Sequence, residues 1–346
     1  MTHERATPRT ATPGATAGIV GTRQTRRRPI LVLGDVVLDV VARLREPLQR
    51  GSDASGTVAF RGGGSAANTA RMVARLGGEA VFIGSVGRDQ WGRALEGELR
   101  RDGVTVHSVH VGAPTARIAV LVETGGERSF VTERGAADHL SAADLRTTWF
   151  REAAALHLPA YSLLNEPLAG AAIRAVRLAR DAGAIVSVDL ASVRPILAIG
   201  RTAAWRRIAG VRPDVLFANG AEAAALCGSR PLPHLLELAP VVLVKEGPAG
   251  CRILAATSVD RSGRTPGSAG PGGVRASLDL AVAARPVTAT DTTGAGDAFD
   301  AGFLLAWLAA DRRPGPGHAA ALRRAAVAAH RAAARLLSGS RPELRL

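Results

Sequence analysis

Residues 290–303 read Thr-Asp-Thr-Thr-Gly-Ala-Gly-Asp-Ala-Phe-Asp-Ala-Gly-Phe and combine two groups that handle anions and protons. After them, Ala298, Phe299, Ala301, Phe303, Leu304, Leu305 and Leu308 fall at the spacing of a well-buried helix. Gly294, Ala295 and Gly296 therefore open that helix, where backbone N–H groups lack intrahelical partners and the dipole end is positive. Glycines there let an anion approach the backbone closely, and a phosphate is the guest that fits. Asp297 adds a carboxylate to the first turn. A first-turn acid favours the helix dipole in any protein. Beside a phosphate cradle, however, it would repel the guest unless it takes a proton from a hydroxyl that attacks it, which is general-base chemistry.

Four further clusters could serve such a reaction. Asp35 and Asp39 follow the apolar run Pro29–Gly34, near the carboxyl end of a strand, where α/β sheets bind ligands. A carboxylate accepts two hydroxyls at once, while a turn-capping role stays open for Asp35. In Arg61-Gly-Gly-Gly-Ser-Ala-Ala-Asn68, Gly63 and Gly64 would let a polyhydroxyl ligand meet the backbone. Asn68 offers both a donor and an acceptor, or else a local helix cap. Asn219-Gly-Ala-Glu222 opens another predicted helix, with the spacing of a capping box. Lys245 is the one lysine in a chain that otherwise uses arginine, and Gly247 and Gly250 follow it. A compact ammonium suits phosphate contact where a guanidinium would not fit.

Asp291-Thr-Thr-Gly-Ala-Gly-Asp297 resembles the carboxy-terminal signature of the ribokinase-like (PfkB) family of carbohydrate and nucleoside kinases. Arg61–Asn68, with Leu76-Gly77-Gly78, resembles the amino-terminal one. The resemblance spans roughly residues 29–337, with the motifs in the family's order. It implies Asp297 as catalytic base and Gly294, Ala295 and Gly296 as the anion hole. Substrate would lie against Asp39, Asp35, Gly63, Gly64 and Asn68. ATP would lie against Asn219, Lys245, Gly247, Gly250 and Thr292. Glu222 would order Mg²⁺ largely through water, and Asp291 with Thr293 would form a monovalent-cation site of the potassium type.

The activity implied is transfer of the ATP γ-phosphate to a hydroxyl of a sugar such as ribose or fructose. A nucleoside, an acidic keto sugar such as 2-keto-3-deoxygluconate, and a catalytically silent sugar-binding regulator are the alternatives. Two departures bear on the substrate. Pro159-Ala160-Tyr161 stands where ribose-specific members carry a glutamate, and Ser65 stands where a lysine is frequent. Arg117, Arg134 and Arg194 would suit a carboxylated substrate.

The fold that must position these residues reads as α/β: a doubly wound, mostly parallel Rossmann-like sheet flanked by helices, with a small β-sheet lid. Strands are expected at 29–34, 80–84, 104–111, 154–158, 185–189, 215–218 and 241–244, and a strand end at 283–289. Helices are expected near 66–77, 90–102, 165–181, 220–227 and 317–337. Segments 41–62 and 114–135 break the alternation with a β pattern and fall where the family's lid would be, a surface through which a homodimer would form. Residues 1–28 read as a disordered Arg/Thr/Pro-rich tail ahead of a 29–340 kinase domain, and 257–278 as a flexible insertion.

Composition narrows the setting. Of the formal charge of +14, residues 1–28 supply +5, through six arginines and one glutamate, and the rest is scattered. No basic helix face concentrates it, so a nucleic-acid partner is not expected. Cys227 and Cys251 are isolated thiols, which fits a reducing cytoplasm. No apolar run reaches membrane-spanning length, so no membrane partner is expected either.

Overall fold

The computed structural model describes residues 1–2, 28–256, 278–289, 291–310, 318–339 and 342–345. The expected tail (except its ends), the 257–278 insertion (except Leu278) and Thr290 lie outside the described residues. Strand β1 (Ile30–Leu33) leads at once into β2 (Val37–Leu44), which pairs antiparallel with β3 (Gly56–Gly63). Helix α1 (Ser65–Arg75), β4 (Ala80–Gly87), α2 (Gln90–Arg101) and β5 (Thr105–Val111) follow. The hairpin β6 (Arg117–Val122) and β7 (Arg128–Glu133) joins β2 to complete a four-stranded sheet in the order β3-β2-β6-β7.

The chain then returns to the core through β8 (Ala155–Pro159), α3 (Leu168–Asp181), β9 (Ile185–Asp189), α4 (Val193–Ala198), α5 (Arg201–Val211) and β10 (Val215–Asn219). It closes with α6 (Gly220–Cys227), β11 (Val241–Lys245), β12 (Cys251–Ala255), β13 (Leu278–Val282), α7 (Ala295–Ala309) and α8 (His318–Leu337). The large sheet runs β13-β12-β11-β10-β9-β8-β1-β4-β5, parallel from β11 to β5 and antiparallel at β12 and β13. Its central strands are continuous apolar runs because helices cover both faces. Among the described residues no helix is long and apolar enough to cross a membrane.

Two packing details set where α7 begins. Phe217 on β10 meets Phe303 and Phe299 edge-on, at centroid distances of 5.5 and 6.5 Å, which fixes α7 over the sheet. On its other side Gly302 lets α8 approach, because a Cβ there would stand 2.7 Å from the Ala332 Cβ. Apart from Asp297 and Asp300 the helix is apolar on every face, because most of it is buried.

Three expectations need correction. Residues 283–289 are not the end of a strand: β13 stops at Val282, and the following stretch has no regular structure. Pro286 lacks the N–H that a ladder would need. Secondly, the lid begins at Val37 rather than residue 41, so Asp39 sits on lid strand β2, while Asp35 marks the carboxyl end of β1. Thirdly, α4, α5, β12 and β13 are additional elements; the last two carry Arg252 and Asp279 facing one another and lack a clean apolar run.

Candidate active site

Asp297 lies in the first turn of α7, after Gly294 with φ 82°, a left-handed value that glycine adopts without strain. Both its oxygens are held by the start of α1: Ser65 Oγ donates to Oδ1 (2.7 Å) and Asn68 Nδ2 to Oδ2 (3.0 Å). Desolvation raises the carboxyl to about 6, with the nearby Asp189 adding to the rise and the Ser65, Asn68 and Lys245 interactions opposing it. A carboxyl poised there is ionised at neutral pH yet basic enough to accept a proton.

Two cavities meet at Ser65, whose hydroxyl holds this carboxylate. One, of about 880 Å³, lies under the small sheet and is lined by Asp35, Asp39, Gly64, Ser65, Tyr161 and Thr293 among others. The other, of about 560 Å³, is lined by Asn219, Glu222, Lys245, Gly247, Gly250, Thr292 and the whole Gly294–Asp297 turn. Ser65 borders both. Most of the sequence-nominated residues are thus brought together around Ser65 and the carboxylate it holds.

Several do something other than expected. The absent side chain of Gly63 makes room for the Asp39 carboxylate, and Gly63 does not line the larger cavity. Gly250, at φ 110°, accommodates the Val282–Ala284 backbone, whereas a Cβ at Gly247 would meet nothing within 4 Å. Asp35 is 4% exposed and already engaged: Tyr161 Oη donates to Oδ1 (2.5 Å) and Arg134 Nη1 to Oδ2 (3.1 Å). It ties the lid to the core.

Lys245 is not an unopposed phosphate ligand. Its Nζ lies 3.0 Å from Asp189 Oδ1 and 3.2 Å from Asp300 Oδ1, and these carboxylates hold the ammonium charged despite its burial. The same Nζ would stand 3.3 Å from a Cβ at Gly296, directly under the helix start. Asp300, fully buried, is pushed well above the usual carboxylate range by desolvation and by Asp189.

Asp291 also serves a different role. Arg128 Nη2 (3.2 Å), Arg61 Nη1 (3.5 Å) and Arg43 Nη2 (3.8 Å) converge on its carboxylate, and Arg128 Nη1 donates to Thr293 Oγ1 (2.9 Å). Three guanidiniums at the pair that would hold a monovalent cation argue against that site and make the pair a latch for the lid.

Asn219 and Glu222 do form a capping box. The Glu222 amide donates to Asn219 Oδ1 (2.9 Å), and the Asn219 amide donates to Glu222 Oε2 (2.8 Å). The Glu222 carboxyl is raised to about 7 by desolvation and by Asp189. Among the described residues no group of three or more His, Cys, Asp or Glu side chains is arranged to hold a metal. A hydrated hard cation beside nucleotide phosphates needs only an oxygen donor such as Glu222, so the residues fit Mg²⁺.

Ser65, Tyr161, Asp189 and Asp300 were not nominated from sequence. Asp300 is three residues beyond Asp297 and so shares its helix face, a signal that was legible.

The pfkB family carbohydrate kinase profile matches residues 27–340. Fructokinase-1 of Oryza sativa subsp. japonica is 33% identical over 306 residues, covering 83% of this chain and 84% of that protein. In fold, the chain is similar to fructokinase with bound ATP from Xylella fastidiosa, with a TM-score of 0.72, 24% identity and coverage of 91% of this chain and 93% of that one. Adenosine kinase from Sinorhizobium meliloti gives a TM-score of 0.71 at 24% identity, covering 91% and 96%. The expected α/β fold with its separate β lid is the fold of these structures.

Proposed function

The chain belongs to the pfkB family of carbohydrate kinases, phosphotransferases with an alcohol acceptor, and on that premise we propose that it phosphorylates a neutral sugar such as fructose from ATP. The observation that carries the proposal is the shared edge of the two cavities at Ser65, whose hydroxyl donates to the Asp297 carboxylate. The sugar occupies the cavity under the lid, against Asp39, and ATP occupies the other, with its terminal phosphate at the Gly294–Gly296 amides. Asp297 takes the proton of the attacking hydroxyl, whose oxygen bonds to the γ-phosphorus as the bond to the β–γ bridging oxygen breaks and ADP departs.

Glu222 and Asn219 would hold hydrated Mg²⁺, which supplies charge neutralisation on the nucleotide. The helix amides and Lys245 stabilise the developing charge from the protein side. The lid, held by Asp291 and Asp35, excludes water and so limits hydrolysis of ATP.

A neutral sugar is favoured by the fructokinase relatives rather than by charge: the lid arginines have carboxylate partners, but three of them share Asp291, and Arg194 also lines the sugar cavity. Arg134 meets Asp35 and Asp138, Arg117 meets Glu133, and Arg43, Arg61 and Arg128 meet Asp291. ADP release should be screened over fructose, ribose, adenosine and 2-keto-3-deoxygluconate. With the best acceptor, Asp297→Asn should lower turnover by a factor of about 10² or more while sugar affinity stays similar. Near-normal turnover in that variant would remove Asp297 from the role.

A further inference from the structure

The base is held by a relay that continues away from both cavities. Ser65, Asn68 and Arg71 recur every three residues on one face of α1. Ser65 and Asn68 reach Asp297, as described above. Behind them Arg71 Nη1 donates to Asn68 Oδ1 (3.2 Å). The guanidinium is itself anchored on α2 and the turn after it: Nη2 donates to Glu98 Oε2 (2.8 Å) and Nε to Asp102 Oδ2 (2.7 Å). Gly62 completes the arrangement, because a side chain there would overlap the Glu98 carboxylate. Arg71 is 8% exposed and touches neither the sugar cavity nor the nucleotide cavity.

We propose that Arg71 is a positioning residue for phosphoryl transfer, fixing the sense of the Asn68 amide so that its NH₂ always faces Asp297. This inference rests on the reading of Asp297 as the base. An arginine only donates and an ionised carboxylate only accepts, so an amide between them has one satisfactory orientation: carbonyl to Arg71, NH₂ to Asp297. Without Arg71 the amide is released. Once Asp297 has taken the substrate proton, a released amide turns its carbonyl to accept the carboxylic O–H and stabilises the protonated base. Arg71 opposes that turn, so Asp297 gives up its proton readily for the next cycle.

Other charged or titratable groups act on Asp297: Asp189 at the end of β9, Lys245 at the end of β11, Glu222 on α6, Asp300 on α7 itself, and Tyr161 after β8. The test leaves all of them in place. Deleting Arg71 alone would strand Glu98, whereas Asp102 keeps Arg75, so Arg71→Gln is made together with Glu98→Gln and compared with Glu98→Gln alone. The readouts are the acid limb of kcat/KM against pH and the ¹³C titration of the Asp297 carboxyl in the ligand-free full chain.

Glu98→Gln leaves the Arg71–Asn68 contact and should lose some thermal stability while keeping the wild-type limb. The double variant should show the limb and the carboxyl titration moved up by about 1 pH unit, which lowers activity about fivefold at pH 6 and less than twofold at pH 7. An unmoved limb in the double variant, or an equal movement in Glu98→Gln alone, would overturn the role of Arg71. Loss of turnover in Asp297→Asn alongside an unmoved double variant would sink this inference alone, whereas an active Asp297→Asn would sink the base assignment beneath it.

Discussion

Lys245→Met is the substitution with the clearest energetic consequence. The Lys245 side chain is 14% exposed and lies between Asp189 and Asp300, whose side chains are 5% and 0% exposed. Deleting the ammonium leaves two buried carboxylates facing one another without a counter-charge. Breaking a buried pair in this way costs about 3–5 kcal/mol, a large share of a typical domain stability of about 5–15 kcal/mol.

The loss should depend on pH with a definite sign. Asp300 already titrates well above an unfolded aspartate, so between the two values the folded chain binds more protons than the unfolded one. Stability from this group is therefore complete at acid pH and declines as pH rises through the folded value. Removing Lys245 takes away an interaction that lowers the folded value, and the decline then extends to higher pH.

Urea unfolding at a series of pH values should show the largest deficit near pH 8. The deficit should shrink on acidification by up to about 1.4 kcal/mol per pH unit for each carboxyl that takes a proton. Adding Asp300→Asn to Lys245→Met should restore most of the stability. Turnover of that stable double variant then isolates the ammonium's contribution to phosphoryl transfer, with an expected loss of about tenfold or more. A deficit that is the same at pH 5.5 and pH 8, or no deficit at all, would refute the assignment of Lys245 as the counter-ion of the pair.

Two further outcomes follow from the same geometry. Because Asp297 must be ionised to accept a proton and its carboxyl lies at about 6, kcat/KM should fall below that pH, approaching tenfold per pH unit; a flat profile down to pH 5 would count against it. Asp291→Asn should loosen the Arg43–Arg61–Arg128 latch, raising the sugar KM by about 5–50-fold and increasing sugar-independent ADP release, with thermal stability changed little by comparison. Unchanged KM and unchanged background hydrolysis would show that the latch does not govern closure.

Much of this arrangement was legible in the chain because its signals are local. Gly294–Gly296 before an apolar periodic run marks a helix start, and Asn219 with Glu222 marks another. The parallel strands announce themselves as apolar runs, since burial on both faces removes any need for alternation. Pairings between distant positions have no such signature. Nothing near residue 291 says that arginines 43, 61 and 128 will converge on it, and the same Asp-x-Thr letters suit a cation site equally well. Nor does Tyr161 advertise its bond to Asp35, 126 residues away. Strands β12 and β13 escaped because Arg252 and Asp279 interrupt their apolar character.

The local signals and the distant pairings solve one electrostatic problem together. Asp189, Glu222, Asp297 and Asp300 act electrostatically on one another around a single ammonium, an excess of negative charge in a site proposed to receive a polyphosphate. Helices α1, α6 and α7 begin at Ser65, Gly220 and Ala295, and Ser65, Asn219 and Gly294 all line the nucleotide cavity. Three positive helix ends, together with the raised carboxyls of Glu222 and Asp300, therefore offset what Lys245 alone cannot. On this view the capping of α6 and cation binding by Glu222 do not compete. A carboxylate has about four lone-pair positions, and the Asn219 amide and Nδ2 take two of them, at 2.8 Å each. The cap fixes the carboxylate's orientation and leaves acceptor capacity for a hydrated cation, so the four residues that start the helix are free to take the nucleotide role proposed for them.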